Sequence, residues 1–564
     1  MKKRLILIFS LIAILCMGTL SSCASASKAE IKETPLYLLD LFEEDCLGVD
    51  LAFFDGINDI PYISMEDAKD IMISLFITIG ENNYDLEYEV VDNVVVLTRE
   101  NGFIATVDFD DNTIGFLDYD AFLRINDSKD LIDIVSFSGY NEYGEAHLFK
   151  RSDSSFEIYG NDVQFDLGKY EIEFKKSGNN FYIPFQTFGD VFLAPYNYFT
   201  LYNGESAFIA AGSIDEIALE YYTDNVPEER SYDLTKFTYD ELCFVLDNYY
   251  GLKDQHEIDN FSDFFIKCNL SMDLTAADPQ YFSQALADLC YQYFDDIHSS
   301  FGSRGYMSIY EPDTNYGPSW ISSNLNDARN ALAREKYYPD GPKPYEEVGN
   351  TAYITFDNFY ASGMDYYEED AAENLDDTIS LMIYSLNQIK REGSPIENVV
   401  LDLSNNLGGH CDAAAFVIGT FLGDGSISVQ NTLSGSMVTQ NFQVDANLDR
   451  EFDEEDNLMD YNLFCLISPT SFSCGNLVPS VFKESHIVTL IGQTTGGGAC
   501  VIQNLSTADG NVFSISGPQR LAYTKNGAFY DIDQGVEPDF NIANPELLYD
   551  RQYMTNYING LMGK

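Results

Sequence analysis

The chain has 564 residues, with 91 Asp and Glu against 31 Lys and Arg, and a formal net charge of −60. Carboxylates spread along the whole length exclude nucleic acid as a partner, because a phosphate backbone is held by cations. A hydrophobic content of 45%, with 40 Phe and 39 Tyr, supplies ample core, and this length predicts two or three domains.

At the N-terminus, Lys2-Lys3-Arg4 precede an apolar run from Leu5 to Met17. These are the charged and apolar regions of an export signal, too short to span a bilayer. The run closes on Leu20-Ser21-Ser22-Cys23, which resembles a bacterial lipobox. That resemblance implies cleavage before Cys23 and lipidation of its sulfur. Residues 1–22 are therefore expected to be a lipoprotein signal peptide and 23–35 a polar tether. The expected location is extracytoplasmic, anchored to the bacterial cell membrane through the N-terminal lipid.

Residues 36–225 read as an α+β unit, stalk-like and rich in strands. Asn93 to Thr98 and Phe103 to Asp108 flank the turn signal Glu100-Asn101-Gly102 and predict a hairpin. Pro61 to Glu66 and Tyr182 to Thr187 each read as a short strand running into a helix. Between Asp233 and Tyr293 the apolar residues adopt helical spacing, so 226–305 is expected to be a helical subdomain. The segment 306–350, with Pro312, Pro318, Pro339, Pro342, Pro344 and Trp320, reads as an irregular linker or lid. From 351 to 564, continuous apolar strands alternate with helices, which predicts an α/β core built on a sheet covered by helices.

The ten cysteines include no Cys-x-x-Cys pair, and Cys243, Cys268, Cys290 and Cys465 sit in apolar runs as buried thiols. The acidic run Asp449 to Asp460 lacks an EF-hand register. Neither a metal nor a cofactor is expected.

Three polar clusters follow core strands, where α/β proteins place reaction sites. Asp402-Leu403-Ser404-Asn405-Asn406-Leu407-Gly408-Gly409 is a strand end with a glycine turn. Its residues alone would also suit a phosphate loop, but the P-loop signature is missing. In Ser468-Pro469-Thr470-Ser471-Phe472-Ser473-Cys474-Gly475-Asn476 a strand turns into a helix, whose N-terminus favours an oxyanion. The third cluster, Gly492-Gln493-Thr494-Thr495-Gly496-Gly497-Gly498, is a glycine-rich loop.

In this order the clusters resemble the tail-specific, or C-terminal processing, serine peptidase superfamily, over roughly residues 235 to 545. Its motifs are Asp-Leu-Arg-x-Asn-x-Gly-Gly, a Thr-Ala-Ser-Ala-x-Glu nucleophile turn, a Gly-x-x-Thr-x-Gly loop and a closing Gly-Val-x-Pro-Asp, here Gly535 to Asp539. The resemblance implies a ClpP/crotonase-like sheet, Ser473 as nucleophile, and an oxyanion hole formed by the amides of Cys474 and Gly408 or Gly409. Ser404 replaces the family's arginine and Asn476 its glutamate, and the lysine base of the Ser-Lys branch aligns with Gly498. The tricorn-like branch instead takes a histidine from an Asp-x-His-Ser context, here Asp296 to Ser299, which makes His298 the implied base and His410 its rival. Of the other three histidines, His147 and His256 read as surface residues and His486 as structural. The acid of that branch precedes the closing motif, where Asp531 and Asp533 stand, and Asp533 is preferred.

These residues imply peptide hydrolysis without a cofactor, on a peptide or protein substrate, in an unknown oligomeric state. The stretch between Gly305 and Gly349 is too short for the PDZ domain that many relatives insert. The alternative is a catalytically inactive lipoprotein with this fold that binds peptides or small apolar ligands.

Overall fold

The computed structural model describes residues 29–39, 46–78, 84–100, 102–123, 148–151, 155–212, 221–224 and 226–563. The signal segment, the lipobox with Cys23, and His147 lie outside them. Among the described residues no helix is long and apolar enough to cross a membrane.

The segment expected to form the α/β core does so around a six-stranded sheet. Its strands, in order, are Tyr345–Val348, Thr351–Thr355, Asn398–Asp402, Asn462–Ile467, Val488–Gly492 and Phe540–Asn541. The first is antiparallel to its neighbour and the rest are parallel. Parallel neighbours need long crossovers, and the helices Thr378–Lys390, Cys411–Leu422 and Cys474–Ser485 lie on them. Alternate strand residues serve two cores. Ile354, Leu401 and Cys465 join these three helices, while Tyr353, Val400 and Phe464 pack with Leu548, Met554 and Ile558 of the C-terminal helices. Burial on both faces explains why the strands read as unbroken apolar runs.

An eight-stranded sheet holds Ser300–Ser303, Gly425–Asn431, Met437–Val444, Cys500–Ser506 and Val512–Lys525, and its remaining strands include two from far upstream. Phe149–Arg151 and Ser155–Ile158 both pair with Met437–Val444, with Phe156 opposite Val438. The N-terminal residues also build a seven-stranded and a five-stranded sheet. The expected hairpin is present, with Val94–Arg99 antiparallel to Ile104–Asp108. The two related strand-to-helix pieces pair with each other, Ile183 opposite Ile63.

Three expectations need correction. The N-terminal unit is not a separate stalk: its apolar residues share one core with the helices of 232–294 and with Leu505, Phe513 and Ile515. Buried Asp120 accepts hydrogen bonds from Asn431 and Ser434, both at 2.7 Å, which ties the two halves together. Second, the strand Glu30–Leu39 begins inside the expected tether. Residues 30–35 pair on one side only, so they are largely polar and carry no apolar signal. Third, the supposed linker or lid contains the helix Pro318–Glu335, whose first turn is capped by Asp295, and Asn330 of this helix docks it on the core. That helix is mostly solvated, so it lacks the apolar period by which sequence reveals a helix.

Candidate active site

The turn after strand Asn462–Ile467 is fixed by its own serines. Ser468 N–H donates to Ser471 Oγ at 3.0 Å, and Ser471 Oγ donates to Leu403 O at 2.6 Å. Ser473 then adopts φ +56° and ψ −122°, a conformation that costs a non-glycine residue about 1–3 kcal/mol. Four bonds hold it there: Ser473 N–H to Gly497 O at 2.9 Å, Phe472 N–H to Asn406 O at 3.0 Å, and the amides of Asn476 and Leu477 to Ser473 O, each at 2.8 Å. The strain turns a half-exposed hydroxyl outward at the N-terminus of a 12-residue helix. Developing negative charge is stabilised at such an end.

The glycine turn lies directly against it. A Cβ on Gly408 would stand 2.6 Å from Ser473 Cβ, and one on Gly409 would stand 2.1 Å from Phe359 O, so both positions admit only glycine. The two glycines differ in what their amides do. Gly408 N–H donates to Asn406 Oδ1 at 2.9 Å. Among the described residues the amides of Gly409 and Cys474 donate to no protein acceptor. The open pair of donors is therefore Gly409 and Cys474, and Gly408 serves as the close-packed hinge between them.

Asp402, at the end of its strand, accepts from Ser404 N–H at 3.0 Å and Ser404 Oγ at 2.6 Å and forms a buried ion pair with Arg551 Nη2 at 2.8 Å. The cation opposite Asp402 is therefore supplied from far along the chain, by the first residue of the C-terminal helix Arg551–Leu561. Sequence reading missed both Asn406 and Arg551. Asn406 stood visibly inside the motif, whereas Arg551 had no local signal.

His298 follows the one-turn π-helix Leu289–Phe294 and is buried. Its ring centroid lies 4.7 Å from that of Phe472, the neighbour of Ser473. A Cβ on Gly498 would stand 2.6 Å from Phe472 Cζ and 3.1 Å from His298 Cε1. The phenyl and imidazole rings thus fill the space that a side chain at 498 would need. His298 Nε2 has no hydrogen-bond partner, so it is not bonded to Ser473 Oγ. Burial pushes the imidazole down to about 4, against the opposing pull of the Asp296 carboxylate. The ring is neutral at pH 7, the form that accepts a proton.

Asp533 and His298 line one cavity of about 510 Å³, together with Asp296, Phe472 and Gly498. Burial raises the Asp533 carboxyl above the ordinary range, while a 3.0 Å bond from Ala499 N–H works the other way. Asp531 is exposed and paired with Arg520 at 2.6 Å. Asp296 accepts from Tyr250 OH, Ser516 Oγ and Ser299 Oγ, all at 2.8 Å, and so stays fixed beside the ring. His410 is exposed on the far side of the glycine turn, its ring 5.9 Å from that of Tyr360.

Residues 350–542 match Peptidase family S41. A protein of Chlamydia pneumoniae is 31% identical over 100 residues, which is 18% of this chain and 16% of that protein. Among solved structures, the photosystem II D1 C-terminal processing protease is 18% identical over 36% of this chain and 47% of its own, with a TM-score of 0.26. Mature CPAF complexed with lactacystin is 11% identical over 58% of this chain and 98% of its own, with a TM-score of 0.37. A lipoprotein from Streptococcus agalactiae is 14% identical over 60% of this chain and 99% of its own, with a TM-score of 0.36. The chain thus spans less than half the length of the first two of these relatives.

Proposed function

Starting from residues 350–542 as a peptidase family S41 domain, we propose that the protein is a serine peptidase with Ser473 as nucleophile and His298 as general base. The observation that carries this reading is the crowding at Gly498, where a lysine cannot be placed and an unpartnered imidazole nitrogen stands instead. His298 takes the Ser473 proton, the alkoxide attacks a peptide carbonyl, and the Gly409 and Cys474 amides receive the oxyanion. The imidazolium then protonates the leaving amine, and water releases the acyl group by the same path. Asp533, which lines the same cavity as His298, is the acid proposed for the imidazolium, and Asp296 is the fixed carboxylate that already acts on the ring. Substrate binding is expected to bring Ser473 and His298 within hydrogen-bond reach, since such contacts are often long in free enzymes.

The missing bond between Ser473 and His298 favours a second reading, a non-catalytic peptide binder on the same fold. A fluorophosphonate probe decides between them. Labelling of the full chain that disappears in Ser473→Ala supports the hydrolase, and equal labelling of the two proteins refutes it. The lipobox supports an extracytoplasmic location with a lipid on Cys23. Mass analysis of the mature N-terminal peptide tests it, and an unmodified Cys23 peptide contradicts the anchor.

A further inference from the structure

The two loops that carry the open amides are also joined by thiols. Cys411 opens the helix Cys411–Leu422 directly after Gly409 and His410, and Cys474 opens the helix Cys474–Ser485 directly after Ser473. Their sulfurs lie 3.9 Å apart, and Cys474 Sγ donates to Gly409 O at 3.1 Å. Cys411 is half-buried and Cys474 fully buried, so an oxidant reaches Cys411 first. The Cys411 thiol, and then burial, hold Cys474 well above the ordinary thiol range, so it is a neutral thiol. No other described cysteine pair has a sulfur contact of this kind, and no group of three or more metal-ligating side chains occurs among the described residues.

We infer that Cys411 and Cys474 form a modification site for peroxide-class oxidants, a reversible disulfide that distorts the oxyanion hole; this rests on the reading of Ser473 as nucleophile. The Cys411 sulfur attacks one peroxide oxygen, the O–O bond breaks, and hydroxide leaves and takes the thiol proton as water. The Cys474 sulfur then attacks the resulting sulfenic acid, an S–S bond forms, and the expelled hydroxide takes the second thiol proton. Two electrons pass from the sulfurs to the peroxide, giving two waters. A disulfide needs sulfurs about 2.05 Å apart, so the two helix starts must approach or turn. Cys474 Sγ then releases Gly409 O, and the amides at 409 and 474 shift together. A displacement of about 1 Å in a catalytic constellation lowers turnover by up to about a hundredfold.

The test treats the full chain with hydrogen peroxide and then with dithiothreitol, mapping disulfides by peptide mass and following fluorophosphonate labelling of Ser473. The expected result is a Cys411–Cys474 cross-linked peptide, labelling slowed by about ten- to a hundredfold, and recovery on reduction. Cys411→Ser should label at the wild-type reduced rate and ignore peroxide. Failure to find the cross-linked peptide overturns the proposal, as does a mapped cross-link with unchanged labelling. If the reduced protein never labels, the peptidase reading fails on its own; amide hydrogen exchange at 408–411 and 473–476 then decides, and exchange unaltered by oxidation overturns the switch.

Discussion

At the residue scale, His298 is the group on which most turns. Its imidazole is held neutral by burial, and so it gives up stability rather than adding it: the unfolded chain binds the proton near 6.5 and the folded chain only near 4. Stability should therefore fall as pH drops from 6.5 towards 4, and less so in His298→Phe. Catalysis has the same sign, because only the unprotonated ring accepts the serine proton. Initial rates of peptide hydrolysis should be level around neutrality and fall as pH descends through about 4, a limb that vanishes with the residual activity of His298→Ala. That variant should lose on the order of a millionfold in kcat, and adding Ser473→Ala should cost scarcely more, since the two groups act as one unit. The sequence marked Ser473 and His298 as candidates because each sits in a short contiguous motif, and the fold brings the His298 ring against Phe472, the neighbour of Ser473. The sequence left Gly408 and Gly409 interchangeable, and only the bond from Gly408 to Asn406 separates the hinge from the donor. Arg551 stayed hidden for a different reason: it lies about 150 positions from Asp402 in the chain, and nothing local marks a charge that is satisfied at such range.

At the element scale, the helix Pro318–Glu335 braces the turn that presents Ser473. Asn330 donates through Nδ2 to Ser468 Oγ at 2.8 Å, Thr470 Oγ1 at 2.9 Å and Ser404 O at 3.2 Å, linking two of the three motif loops. Asn330→Ala leaves these buried acceptors short of a donor. The expected cost is about 1–3 kcal/mol in unfolding free energy, measured by denaturant titration, with a loss of kcat larger than any change in KM. Parallel strands and their crossover helices were readable because burial on both faces gives long apolar runs. This helix was not, because its exposed residues, with Leu325 and Leu332 among them, obey no buried stripe, and prolines on either side suggested disorder of pattern.

At the scale of the whole molecule, the N-terminal half and the helical region meet over a pair of acids. Asp190 and Glu241 are fully buried, and Thr187 Oγ1 donates to one oxygen of Glu241 while Gln186 Nε2 donates to Asp190 at 3.0 Å. Each keeps one oxygen without a partner. Burial pushes both carboxyls up, Glu241 to about 8. The sign follows from proton binding: between the unfolded value near 4.5 and about 8 the folded chain holds more protons, so stability declines as pH rises through that window. Glu241→Gln should flatten this decline and exceed the wild type at pH 8, by a shift on the order of a few kcal/mol in thermal or denaturant unfolding. A wild type no less stable at pH 8 than at pH 5, relative to the variant, would contradict the assignment.

The pairing of Ser155–Ile158 with Met437–Val444 has a further consequence, for the order in which the chain can mature. Contacts closed over such separations are slow to form, and a chain emerging from its N-terminus exposes the early strands long before their partner exists. Asn161, whose amide meets Ser434 O, must wait for a partner 273 positions further along the chain. The Ser473 site lies still further along the chain than Met437–Val444, so a nascent or truncated chain that stops before that strand lacks both the site and the completed leading half.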